Sequence, residues 1–143
     1  MTEKSSRQTV KPVGIALIPC DSIYADPSGK QALIGLFNSI HVRAFPVVHS
    51  RMCIFASLTE VYHNTRCKVD IVHGETDVSV FSAEAPMAPK SPTIICDMVF
   101  ELNNLTFREA GQYFIRLFGN DQILLQRPFD VYLQPTHPGP QPN

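Results

Sequence analysis

The sequence from Leu102 to Leu133 reads LNNLTFREAGQYFIRLFGNDQILLQRPFDVYL. Two apolar runs flank a central Gly-Asn-Asp turn, which is the pattern of a β-hairpin. An EAGQY motif precedes the first run, and it is typical of a corner in which a Tyr at the start of a strand hydrogen-bonds back to the loop it has just left. This stretch therefore predicts a final hairpin with a structural corner at Gly111 and Tyr113.

The length and composition predict one globular domain with a core of its own. The chain has 143 residues, 44% of them hydrophobic, and a formal net charge of -1. This size is sufficient to bury a core without staples. A nearly neutral chain without a basic cluster indicates no nucleic-acid partner. No apolar run approaches the roughly 20 residues needed to span a bilayer, so no membrane association is expected.

The N-terminal segment and the cysteines predict a reducing compartment. Residues 1–8 are polar and lack the apolar core of a signal peptide, which indicates a cytoplasmic protein. No Cys-x-x-Cys pair occurs, so a zinc ribbon has no support. The four cysteines are expected to be free, half-buried and hydrophobic in role. A Cys53–Cys96 or Cys20–Cys67 bridge would need oxidising conditions.

Strand-like segments separated by turn residues follow one another along the whole chain, and none shows helical periodicity with caps. This pattern predicts an all-β fold, a single immunoglobulin-like antiparallel β-sandwich of about eight strands with Greek-key connections. The domain is expected to span residues 12–133, between a flexible N-terminal arm at 1–11 and a disordered Pro-rich tail at 134–143. The predicted strands are 13–18, 31–40, 52–62, 66–73, 76–82, 93–102, 113–118 and 122–133.

Glycine and proline positions add local expectations. Gly35 in mid-strand predicts a bulge or a close approach of another backbone. Pro46 predicts a loop over 44–49. The Pro-rich segment 85–92 predicts an extended connection across the top of the sandwich. Pro128 predicts an edge position or a bulge in the last strand.

Alternation along the strands predicts which side chains face solvent. In segment 66–73, Lys68 and Asp70 are expected to point outward from a half-exposed strand. Asp97 is expected to share an outward face with Val99. That face would still carry β-branched apolar residues, which is mild evidence for a covered or adhesive surface.

Two groups of motifs together resemble a known family. The first comprises residues 20–24, 26–30 and 33–37, an Asp…Gly-Lys…Gly-x-Phe hairpin. The second comprises residues 105–113 and 127–131, a Gly-x-Tyr…Pro-Phe-x-Val hairpin. They resemble an uncharacterised family of small bacterial proteins, known as a domain of unknown function. The resemblance covers nearly the whole chain and implies a single β-sandwich, but it implies no activity.

No residue pattern predicts catalysis or a cofactor. Phosphate-binding glycine loops are absent from the sequence. Asp26 belongs to an Asp-Pro-Ser-Gly-Lys turn, where an Asp ordinarily bonds its own backbone. The histidines show no metal-ligand spacing, and a site from His63, His73 and Cys67 would hold too few ligands for zinc. The five histidines are His41, His49, His63, His73 and His137.

One set of outward-facing side chains in the final hairpin predicts an interaction face. Tyr113, Ile115 and Leu117 are expected to face the core, which leaves large apolar side chains on the opposite face of the sheet. Either the chain's own arm, Pro-rich loop or tail covers this face, or it contacts another protein. The predicted interaction face consists of Phe114, Arg116, Phe118, Leu124 and Tyr132.

The sequence therefore predicts a non-enzymatic β-sandwich that acts through protein–protein contacts, as a homo-oligomer or as an accessory subunit. The alternative is a small-ligand-binding module that uses loops at one end of the sandwich, near residues 26–30 and 107–109. A hydrolytic or metal-dependent enzyme is a third hypothesis, and it lacks the required residue groups.

Overall fold

The computed structural model describes residues 11–62 and 64–135. These residues form nine strands, with no helix and hence no helix that could cross a membrane in the described ranges. The strands are β1 (Val13–Ala25), β2 (Gln31–Leu36), β3 (Ser39–Val42), β4 (Val47–Thr59), β5 (Thr65–His73), β6 (Ser79–Met87), β7 (Cys96–Phe107), β8 (Gly111–Gly119) and β9 (Gln122–Leu133). The predicted arm and tail lie outside the described residues, except for Lys11, Gln134 and Pro135.

The strands form two sheets that face each other. One sheet has the order β2-β1-β4-β7 and the other has the order β3-β9-β8-β5-β6. The Pro-rich segment leads from β6 in the second sheet to β7 in the first, as a Greek-key connection requires. The predicted all-β, immunoglobulin-like sandwich is confirmed.

The core lies between the sheets. Met52, Ile54 and Ala56 point inward from β4, as alternation predicts, and they meet Ile115 and Leu117 from β8 in one buried cluster. An aromatic group occupies one end of the core, where the ring of Phe107 meets the rings of Tyr113 and Phe129 edge-on, at centroid distances of 5.1 and 6.1 Å.

The final hairpin is confirmed, with a shorter turn than expected. β8 and β9 pair as far as Gly119 and Gln122, so only Asn120 and Asp121 form the loop. Their φ angles of 49° and 67° are those of a type I′ turn, which matches the twist of the flanking strands. The Asn120 side chain also accepts a hydrogen bond from the backbone nitrogen of Arg66 at 2.9 Å, which ties the turn to β5.

The segment predicted as one strand from residue 31 to 40 divides between the sheets. β2 pairs with β1, whereas β3 pairs with β9 in the other sheet. The β3–β9 pair is parallel, so the sandwich is not purely antiparallel. Gly35 lies inside β2, before this division, where its φ of 74° favours glycine and an added Cβ would collide with the Asp21 side chain. The close approach at Gly35 therefore involves a side chain, whereas another backbone was predicted.

Pro128 follows its prediction in part. β9 lies inside the second sheet, between β3 and β8, but β3 pairs only with residues from Asp130 onward. The side of β9 next to Pro128 that faces away from β8 is therefore an edge. The bulge in this hairpin lies nearer the turn, between Leu117 and Phe118 of β8.

Candidate interaction surfaces

The predicted corner is present and is built on one hydrogen bond. The Tyr113 hydroxyl donates to the backbone carbonyl of Glu109 at 2.6 Å. Burial raises the pKa of Tyr113 above its ordinary value, so the hydroxyl stays protonated as a donor at neutral pH. The bond fixes the chain where it leaves β7 and enters β8.

We expect Tyr113→Phe to lower the free energy of unfolding by about 1 kcal/mol, because it removes this hydrogen bond and keeps the buried ring. Urea unfolding followed by circular dichroism measures the change. Tyr24→Phe is the matched control, since Tyr24 is an exposed tyrosine. A loss as small as that of the control would show that the corner bond contributes nothing.

His73 stabilises the same corner. Its side chain is buried. Its Nδ1 accepts hydrogen bonds from the backbone nitrogens of Glu75 and Thr76 at 3.1 and 3.3 Å, so the ring proton resides on Nε2. That nitrogen donates to the carbonyl of Ala110 at 3.0 Å. One imidazole thus connects the β5–β6 turn to the corner.

The centre of the predicted interaction face is an ion pair. Arg116 donates two hydrogen bonds to the carboxylate of Asp70, at 2.8 and 2.7 Å. Asp70 was expected to face solvent, but only 6% of its side chain is exposed because Arg116 and Lys68 cover it. The hydrogen bonds that Arg116 donates to Asp70 also raise the pKa of Arg116. This face is therefore held together by charge pairing within the chain.

The two phenylalanines of this face are half-buried. The Phe118 ring lies under two cations, with Lys68 Nζ at 4.7 Å and Arg116 Cζ at 5.0 Å from its centroid. Such cation–π contacts use the face of the ring that another protein would otherwise touch. Phe114 lies against Gly74 in the neighbouring turn. Less apolar surface is accessible here than the sequence pattern indicated.

The assignment of Leu124 to this face is wrong. Leu117 pairs with Leu125 and Phe118 pairs with Ile123, so Leu124 occupies a bulge and has no directly opposite partner. The bulge reverses the alternation, and Leu124 packs against the buried clusters between the sheets. Strict alternation from the sequence could not anticipate that reversal.

Tyr132 belongs to the same side of the sheet but not to the same patch. Its hydroxyl lies 2.6 Å from Nε2 of His41, its direct partner on β3. Pro128 is the residue opposite Phe114, the member of the face nearest to Tyr132, and Tyr132 lies four residues beyond Pro128, roughly 13 Å at the usual rise. The predicted face is thus two separate features.

A larger apolar surface lies on the outer side of the other sheet. Directly paired residues of β7, β4 and β1 form an apolar row across three strands. The neighbouring strand β2 extends it, with Leu36 61% and Ile34 51% exposed. We call this surface the apolar face, and it consists of Ile18, Tyr24, Ile34, Leu36, Phe55 and Val99.

Few charges interrupt the apolar face. Asp97 is bonded to the Ser57 hydroxyl at 2.7 Å at one side, and Arg51 pairs with Glu101 at 3.0 Å at the other. The largest apolar patch on a soluble monomer typically covers roughly 300–600 Å² and is often functional, and the exposed side chains of the apolar face form a patch of this kind. The outward Asp97 and Val99 were predicted from the sequence, and this placement is confirmed.

The rest of the apolar face was missed, and its signal was an absence of alternation. The run from Val13 to Ile18 is apolar on both sides, which is typical of a central strand buried on both faces. β1 is indeed central in its sheet, but Val13 and Ile15 are about half exposed, at 50% and 48%. The run from Ala32 to Phe37 has the same two-sided character. Two such neighbouring runs could have indicated an apolar outer face.

The four cysteines are free, as predicted, and they form two pairs. Cys20 and Cys53 lie directly opposite each other on β1 and β4. Cys67 and Cys96 come from opposing sheets. Burial, with a contribution from Cys96, raises the pKa of the Cys67 thiol to about 11. The two bridges considered from the sequence would each join cysteines of different pairs.

The loops proposed for a small ligand show ordinary turn chemistry. The Asp26 carboxylate accepts hydrogen bonds from the hydroxyl and backbone nitrogen of Ser28, at 2.7 and 2.8 Å, and from the backbone nitrogen of Lys30 at 2.9 Å. The Ser28 hydroxyl makes the largest contribution to lowering the Asp26 pKa. Neither loop lines the two cavities beside Arg127. Over residues 11–62 and 64–135, no group of three or more metal-binding side chains is present.

The sequence profile of the family of unknown function DUF6941 matches residues 15–132. The chain belongs to this family. The match spans both sheets and includes the corner and the apolar face. It confirms the resemblance to an uncharacterised family that the two hairpin motifs indicated.

The other comparisons assign no activity to this chain. No curated protein matches the sequence. Among solved structures, the chain is similar to an immunoglobulin-like protein from Pseudomonas aeruginosa, with 13% identity and a TM-score of 0.48, over 87% of this chain and 98% of that one. It is also similar to a β-glucosidase from Kluyveromyces marxianus, with 14% identity and a TM-score of 0.40, over 65% of this chain and 14% of that one.

Proposed function

We propose that this protein acts by binding rather than by catalysis, and that it binds a second copy of itself through the apolar face. The observation that carries the proposal is the continuous apolar row across three strands with exposed Leu36 and Ile34 beside it. An apolar patch of this size is costly to leave in water.

The area of the apolar face suits a dimer. A specific interface buries at least about 1,000 Å² in total, or about 500 Å² from each partner. A patch within the usual range of roughly 300–600 Å² supplies much of this area, and the surrounding polar groups supply the rim. Two sheet faces also pack readily at about 10 Å separation, as they do within a sandwich.

The charges on the apolar face favour a second copy as the occupant. Arg51 and Glu101 neutralise each other within one chain, and Asp97 is hydrogen-bonded. A symmetric pairing presents the same patch from both partners, so it needs a surface without an uncompensated like charge at its centre. The apolar face meets that condition, because its central row is uncharged.

The remaining parts of this chain are poorly suited to cover the apolar face. Residues 1–10 and 136–143 contain Met1 and Val10 as their only large aliphatic residues. Neither segment offers an apolar surface of matching size.

The unbridged cysteines fit a reducing compartment, so we propose a cytoplasmic location for the protein as part of this proposal.

We expect the wild-type protein to have twice its chain mass of 16.0 kDa in solution. Leu36→Glu and Val99→Glu are each expected to weaken dimerisation by at least ~100-fold, because an unpaired charge in a dry interface costs several kcal/mol. Light scattering coupled to size exclusion, over a series of protein concentrations, measures both effects.

Val78→Glu is the matched control, since Val78 is a similarly exposed apolar residue that lies before β6 of the other sheet. The double variant Phe114→Glu/Phe118→Glu tests the face predicted from the sequence. A wild-type monomer up to about 1 mM would overturn self-association, since a Kd above that value corresponds to less than about 4 kcal/mol of binding. A dimer that is broken only by the double variant would move the interface to the Phe114 face.

A further inference from the structure

A seam runs between the sheets where β1 of one sheet approaches β9 of the other, and Arg127 lies in it. Two cavities open on either side of its guanidinium. One has a volume of about 290 Å³ and is lined by Asn38, Gln112 and Phe129, among others. The other has a volume of about 350 Å³ and is lined by Ile15, Ile18 and Leu125, among others.

Arg127 brings an unneutralised charge to the seam. Arg51, Arg66 and Arg116 each pair with a carboxylate. Within the described ranges, no carboxylate lies within ion-pair distance of Arg127. Asp130 does line the smaller cavity, beside Asn38 and Gln112.

The hydrogen bonds of the guanidinium use only part of its capacity. One Nη donates to Asn38 Oδ1 at 2.9 Å and the other reaches the carbonyl of Leu17 at 3.5 Å, which is a weak contact. Nε is buried and finds no acceptor among residues 11–62 and 64–135. A guanidinium carries five N–H donors, and with Nε buried and two others engaged, one N–H on each Nη remains for a ligand.

The chemistry of the two cavities is complementary to one kind of molecule. A guanidinium at the boundary of a confined site favours a carboxylate, which it can bind through two parallel hydrogen bonds. The apolar wall formed by Ile15, Ile18 and Leu125 favours an aliphatic chain. Both volumes lie near the lower limit of roughly 300 Å³ for ligand pockets, so the ligand is small.

We propose that the seam is a binding site for a short-chain aliphatic carboxylate. Its carboxylate group accepts hydrogen bonds from Arg127, and its chain lies against Ile15, Ile18 and Leu125. Ile18 also belongs to the apolar face, whereas Ile15, Leu125 and Arg127 lie outside it, so variants of these three residues test the seam separately from self-association.

Titration of the full chain with sodium hexanoate, followed by amide NMR, tests the proposal. Resonances of residues 15–18 and 125–130 are expected to shift in a saturable manner below about 10 mM ligand, since a millimolar Kd corresponds to about -4 kcal/mol. Hexanamide has the same chain without the charge, and it is expected to bind at least ~10-fold more weakly. Equal affinity for hexanamide, or no shift with hexanoate, would overturn the proposal.

Variants separate the charge from the apolar wall. Arg127→Gln is expected to weaken hexanoate binding at least ~10-fold, whereas Arg43→Gln, the removal of an exposed arginine elsewhere, should leave it unchanged. Should Arg127→Gln fail to fold, Ile15→Glu provides the second variant, because Ile15 is exposed and a carboxylate there repels the ligand. Undiminished binding by a folded Arg127→Gln or Ile15→Glu protein would overturn the assignment.

Discussion

Arg116→Ala is expected to lower the free energy of unfolding by about 3–5 kcal/mol, the largest loss that we predict for a single charge in this protein. The variant removes both short hydrogen bonds of the Asp70 carboxylate, whose side chain is only 6% exposed in the native protein. Lys68 remains 3.8 Å away, which places the loss nearer the lower value. Urea unfolding at pH 7 measures the change.

Arg66→Ala is the matched control for that experiment. Arg66 pairs with Asp121 at 3.1 Å, but both side chains are more than half exposed, so the loss should stay below about 1 kcal/mol. The double variant Asp70→Leu/Arg116→Met removes both charges and should recover most of the stability. If Arg116→Ala behaves like Arg66→Ala, water reaches Asp70 and the pair is a surface interaction.

Gly111→Ala is expected to lower the free energy of unfolding by about 3 kcal/mol, through backbone strain and overpacking together. The φ of Gly111 is 140°, a conformation that side chains disfavour, and an added Cβ would lie 2.8 Å from Nε2 of His73. His73 cannot move aside easily, because three hydrogen bonds hold its ring. Thermal and urea unfolding measure the loss.

Gly29→Ala separates the two causes. Gly29 also has a positive φ, of 90°, but an added Cβ there would meet no atom within 4 Å. Its substitution therefore carries only the backbone cost, about 1 kcal/mol. Equal losses at the two positions would contradict the steric part of the argument and leave backbone strain alone.

Local signals in the sequence predicted the hairpin and the corner correctly. The corner bond joins Tyr113 to Glu109, four residues away, and the turn depends on the positive φ that Asn120 and Asp121 tolerate. Interactions between residues this close in the sequence are indicated by the residue types of the segment itself. They could therefore be predicted without knowledge of any other strand.

Alternation failed where a distant strand intervened. The bulge at Leu124 depends on how β9 pairs with β8, and the burial of Asp70 depends on Arg116 across the sheet. The alternation along β7 is also interrupted near Asn104, whose φ is 56°. Leu102 and Leu105, three residues apart, therefore both point inward. The residue types at Leu124 and Asp70 give no sign that alternation fails there.

The sequence by itself determined the all-β class, the final hairpin, the corner and the membership of a family, because periodicity and turn chemistry are properties of neighbouring residues. Only the tertiary structure decided the division of residues 31–40 between two sheets and the parallel β3–β9 pair. It also decided both candidate surfaces. Val99, Phe55 and Ile18 lie far apart along the chain and become one row only through strand pairing, and Arg127 gains its cavities only where two sheets meet.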